Sequence, residues 1–111
     1  MSRSDEERFT DILEFADRLA FLVAHGREAY DESPAIGPAI ERFIELIGEA
    51  ASTLSPEARA KYPDIEWAKI IGMRVMLAHH YHRVNLDRVW ITAAVDVPEF
   101  AAALRAGSAS N

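Results

Sequence analysis

Between positions 74 and 83 the chain sets Arg74, His79, His80, Tyr81, His82 and Arg83 within ten residues. A guanidinium offers paired hydrogen bonds to phosphate oxygens and stays charged at any working pH, and an imidazole takes or gives a proton near neutrality. Together they suit cleavage of an RNA phosphodiester without a metal. His79 would take the proton of a ribose 2′-hydroxyl or give one to the departing 5′-oxygen, and Arg74 would balance the charge that builds on the phosphorus centre. His80, His82 and Arg83 are candidate substrate contacts, and no cofactor is implied. On a regular helix Arg74 and Tyr81 share a face, whereas His79 is turned by about 140° from Arg74. One straight helix cannot aim all three at one point. Either it unwinds after His79, or a second copy completes the site across a two-fold axis.

Each of these residues also has a purely structural reading. Arg74 could pair with a buried carboxylate of the preceding long helix, Glu45 or Glu49, and Tyr81 could be a packed aromatic with a wet hydroxyl. His79 and His82 stand at metal-ligand spacing but lack an obvious third ligand. Trp67, Met73, Met76 and Trp90 read as core, and His25-Gly26 as a bend in the first helix or its end.

The rest of the chain must position this segment. With 111 residues, half of them apolar, it can bury one core and forms a single domain, residues 1–111. No cysteine is present, so disulfides, thiolate metal sites and cysteine nucleophiles are excluded. The N-terminal run has no apolar stretch of signal-peptide type, and Ile70 to Ala78 is interrupted by Arg74 and too short for a membrane span. A cytoplasmic protein is expected. The net charge is −6, but it is uneven: residues 1–66 sum to −8 and residues 67–111 to +2, so an anionic ligand is expected to meet the second half.

Apolar residues from Phe9 to Val23 recur at three- and four-residue steps behind a Ser4/Glu7 capping box, which predicts a long first helix reaching about Ala29. Tyr30 to Pro38 reads as a connection. Ile40, Phe43, Ile44, Ile47 and Ala51 stripe a second helix, which Ser55-Pro56 stops. A third helix is expected from Ile65, capped by Asp64 and more buried than the first two, with Arg74 inside its apolar stripe. A fourth follows Asn85, and a short last helix is expected from Asp96-Val97-Pro98 to about Arg105, with residues 106–111 as a disordered tail. No period-2 run or internal repeat is visible, so the fold expected is an all-α antiparallel bundle of about four main helices plus short helical turns.

The segment from Trp67 to Tyr81 resembles the signature of the HepT-like branch of the HEPN superfamily: Arg, four to six residues, His, any residue, Tyr, satisfied here by Arg74, His79 and Tyr81. The likeness extends to Ile44-Glu45-Leu46-Ile47-Gly48-Glu49-Ala50, Val89-Trp90 and Val97-Pro98, and covers Phe9 to Leu104. It implies a homodimer with Arg74 and His79 of both protomers lining an interfacial cleft. It further implies a metal-independent RNA endonuclease toxin, neutralised by a minimal nucleotidyltransferase antitoxin that in some systems transfers AMP to the motif tyrosine, here Tyr81. The chain departs from the family pattern at Asn85, where Asp is frequent. A reading of another class is a non-catalytic dimeric partner that binds a nucleotidyltransferase or a nucleotide, which the acidic overall balance favours.

Overall fold

Ser4 opens the first helix as expected. The Glu7 N–H donates to Ser4 Oγ and the Ser4 N–H to Glu7 Oε1, both at 3.1 Å, so two of the orphan donors of the helix start are satisfied. In the computed structural model, which describes residues 3–78 and 85–110, this helix is α1 (Asp5–Val23). It stops earlier than its pattern suggests, because Gly26 takes φ +96°, a left-handed conformation that side-chain-bearing residues rarely adopt. A short α2 (Arg27–Glu32) occupies part of the expected connection. Next come α3 (Ile36–Ser52), α4 (Pro56–Ala60), α5 (Trp67–Ala78), α6 (Leu86–Ile91), a π-helical turn at Thr92–Asp96 and α7 (Val97–Ser110). There is no strand among the described residues, and the architecture is an all-α bundle of four main helical rods with short helices between them.

The core runs through the bundle along α3, which packs α1 on one side and α5 on the other. Ile40, Ile44 and Ile47 are fully buried, together with Ile12 and Leu19 of α1 and Val89, Val97 and Leu104 of the C-terminal rod, and Leu77 of α5 is nearly so. Burying each such side chain stabilises the fold by roughly 1.5–3 kcal/mol. α5 begins two residues later than predicted and is pinned at its start. Trp67 Nε1 donates to the Arg59 carbonyl of α4 at 3.0 Å, and its ring meets Phe100 edge-on at 5.6 Å. α4 is tied in turn to α1, because the Ser55 N–H and hydroxyl donate to the two carboxylate oxygens of Asp5 at 2.9 and 2.7 Å.

Two further boundaries, both in the C-terminal rod, differ from the sequence reading. Asp96-Val97-Pro98 does not open a separate short helix: α6, the π turn and α7 form one continuous rod. Pro98 lacks an N–H and its ring crowds the carbonyl four residues back, and the wider π turn just before it makes room for the ring without breaking the rod. The rod also continues past Arg105 to Ser110, and Gly107 explains how. Having no Cβ, it lets the Tyr62 ring lie directly on the helix backbone.

Two measurements test these packing arguments. Gly72 lies mid-helix with open space where a Cβ would be, so Gly72→Ala should stabilise the protein by about 0.5–1 kcal/mol, read as a higher Tm. The Ser55 hydrogen bonds hold the Asp5 carboxyl below its ordinary pKa. Its contribution is therefore present above the unfolded carboxylate pKa and is lost as pH falls through the lower folded value. Asp5→Asn should lower Tm at pH 7, and the gap to wild type should close on acidification.

Candidate active site

The crossing of α3 over α5 decides where Arg74 sits. A Cβ built on Gly48 would lie 3.1 Å from the Arg74 backbone nitrogen, 3.2 Å from Arg74 Cβ and 3.2 Å from the Ile70 carbonyl oxygen. Glycine is thus what allows the two helices to touch backbone to backbone at this point. The contact uses the Arg74 main chain and Cβ, and the residue as a whole remains exposed.

The expectation of Arg74 within a buried stripe is corrected here. Ile70, Met73 and Leu77 carry the buried face of α5, while Arg74 is exposed and Val75 keeps 50% of its surface. α5 flanks α3 with only one side covered, so its pattern, apolar nearly all round, is spent partly on solvent-facing positions. Arg74 and Val75 instead line an open groove with Glu45 and Glu49, a cavity of about 310 Å³. The pairing considered from sequence is not formed: among the described residues Arg74 has no ion pair, and Glu45 is engaged by Arg42 on its own helix at 3.4 Å. A guanidinium in this setting keeps its bidentate donor edge available to an incoming anion. The two carboxylates beside it oppose a bare negative charge, so a ligand must make good contact with the guanidinium to stay.

His79, His80, Tyr81, His82 and Arg83 lie outside the described residues. What the structure does show is how both ends of that segment are held. At the near end Leu77 is buried, 2% exposed. At the far end Asn85 caps α6, its Oδ1 accepting the Arg88 N–H at 3.1 Å. The short α2 straps this end to the bundle. Arg27 bridges Asp31 at 2.9 Å and Asp87 at 2.8 Å, and the Tyr30 ring packs at a tilt against Trp90 with centroids 5.9 Å apart. The Tyr30 hydroxyl donates to Glu41 of α3 at 2.8 Å, and burial, reinforced by that carboxylate, pushes its pKa up, so it stays a donor. The strap was not apparent from sequence, where Tyr30 reads as the start of a loop. The nearest signal was an isolated tyrosine four residues after Gly26. Among the described residues no cluster of three His, Asp or Glu side chains could hold a metal ion, and no helix is long and apolar enough to cross a membrane.

Comparison with known proteins identifies relatives of the chain. The family model described as Ribonuclease HepT-like matches residues 12–106. A candidate RNase of Methanocaldococcus jannaschii is 37% identical over 101 residues, covering 89% of this chain and 84% of that protein. A second one is 36% identical over the same length, covering 89% and 87%. A probable ribonuclease HepT of Thermococcus cleftensis is 33% identical over 60 residues, 54% of each chain. No solved structure gives a significant match. With nearly the whole helical core inside the matched region, and Arg74 on its open groove, the chain belongs to the ribonuclease HepT-like family of the HEPN superfamily.

Proposed function

We propose that this chain is a toxin-type, metal-independent RNA endonuclease that works as a homodimer in the cytoplasm and is neutralised by a nucleotidyltransferase antitoxin. The observation that carries the reading is the state of Arg74: exposed in an open groove and free of any ion pair among the described residues, as a phosphate-binding guanidinium must be and a structural one need not. The partly uncovered face of α5, with Val75 half exposed beside Arg74, supports pairing with a second copy, which brings two Arg74 and two His79 side chains to one cleft.

In that cleft one His79 takes the 2′-hydroxyl proton as the oxygen attacks phosphorus. The bond to the 5′-oxygen breaks, that oxygen takes a proton from the second His79, and a 2′,3′-cyclic phosphate remains on the upstream strand. Arg74 stabilises the extra charge of the pentacoordinate transition state. His80, His82 and Arg83 are the proposed contacts to flanking RNA. Tyr81 is the proposed acceptor of an AMP group, which would add negative charge and bulk beside Arg74 and obstruct the RNA path. The acidic groove wall formed by Glu45 and Glu49 favours a second reading, a non-catalytic dimeric partner of a nucleotidyltransferase.

The test is inducible expression of wild type, Arg74→Ala and His79→Ala at matched soluble levels, with new RNA ends mapped and cleavage by purified protein followed in EDTA. Wild type should arrest growth and cut RNA with the chelator present. Each variant should lose roughly 10²–10³-fold in rate. Because Arg74 is exposed, Arg74→Ala should change stability by no more than about 0.5 kcal/mol. Harmless expression of all three, with a stable nucleotidyltransferase complex on co-purification, would instead establish the partner-subunit reading.

A further inference from the structure

α5 has a second groove on the flank turned away from Arg74. There it faces α6 and the π turn across a cavity of about 230 Å³, lined among others by Lys69, Gly72, Met76, Arg88, Thr92 and Asp96. Residues 88, 92 and 96 stand four apart along one rod. Four α-helical residues overshoot a full turn by about 40°, so a straight α-helix would carry the third of them round its side. The π turn spans Thr92–Asp96 and takes a smaller angular step per residue, which reverses that drift and keeps all three on the groove.

The chemistry collected there is mixed in a particular way. Arg88 is exposed at the rim and no ion pair involves it among the described residues, while Lys69 makes a loose pair with Asp96 at 3.7 Å. The floor is apolar: half-buried Met76, buried Met73, and the bare backbone of Gly72, over which nothing lies within 4 Å of a built Cβ. Two cations suit a phosphate. A thioether floor with an uncovered glycine suits the face of a planar ring. Asp96, with 21% of its side chain exposed, can accept from ribose hydroxyls or an exocyclic amine. The volume falls below the usual range of about 300–1,000 Å³ for a pocket that swallows a whole drug-sized ligand, so one ring with its phosphate on the rim is the size that fits.

We propose that this groove binds a single ribonucleotide unit, with base on the Gly72/Met76 floor, phosphate on Arg88 and Lys69, and sugar or amine on Asp96. The unit is either a nucleotide of an RNA strand whose scissile bond lies at Arg74 or a free mononucleotide. The first case rests on the nuclease reading, and the second does not.

Binding is read directly, by amide chemical shifts on titration with guanosine 5′-monophosphate, guanosine and inorganic phosphate, in wild type, Gly72→Leu and Arg88→Ala. Gly72→Leu fills the floor from a position with open space, and Arg88→Ala removes an exposed cation, so both should fold as wild type does. Guanosine monophosphate should shift groove amides and bind at least tenfold more tightly than guanosine or phosphate. Arg88→Ala should weaken it about tenfold, as expected for one charged hydrogen bond, and Gly72→Leu should abolish it. No groove shifts, equal binding by phosphate alone, or unchanged binding to Gly72→Leu would overturn the proposal. A 2′-O-methyl RNA trinucleotide, which cannot be cut, separates the two sources. Tighter binding than the mononucleotide, weakened by Arg74→Ala, assigns the groove to the RNA strand, and equal binding insensitive to Arg74→Ala assigns it to a free nucleotide. None of these readouts needs catalysis, so they hold or fail independently of whether the chain cleaves RNA.

Discussion

The crossing of α3 and α5 at Gly48 and Arg74 is the contact on which the rest of the molecule depends. Because position 48 has no side chain, the two helices meet at backbone distance and the Arg74 main chain fills the space a larger residue would take. Beyond its Cβ, the Arg74 side chain lies exposed and lines the groove with Glu45 and Glu49. Interiors are packed too densely to absorb even one added carbon without movement, so the position of α5 at Arg74 depends on a glycine on a different helix.

A second constraint acts at the other end of the motif segment. α6 is too short to hold its place by its own hydrogen bonds, since a single turn or two is marginal without tertiary support. Its support comes from α2, through the Arg27–Asp87 bridge and the Tyr30–Trp90 ring contact, and from α7, with which it is continuous through the π turn. The π turn thereby serves two ends. It relieves the crowding around Pro98, and it keeps Arg88, Thr92 and Asp96 facing α5.

Electrostatically the molecule is divided. The acidic excess belongs to the first 66 residues, while the grooves on either side of α5 each contain at least one cation without a full-strength partner. Such a surface does not attract polyanions from a distance, and the flanking carboxylates favour ligands that contact the cations closely over those held by charge alone.

Much of the architecture was legible in the chain. The capping box at Ser4, the Ile40 to Ala51 stripe and the absence of alternation are local signals with a single structural solution, so the all-α bundle and its main helices follow from them. The Arg74, His79 and Tyr81 spacing, with its surroundings, likewise marks the family, because it is a property of residue order alone. Burial is different: it depends on which side of a helix a neighbour covers, and a helix that is apolar nearly all round gives no sign of which arc stays wet. That is why Arg74 reads as lying inside a buried stripe in the sequence and is exposed in the fold. The fate of Pro98, the strap made by Tyr30 and the joining of Gly72 with Arg88 in one groove were settled the same way. Each turns on contacts between residues distant in the chain, and only the packed bundle brings them together.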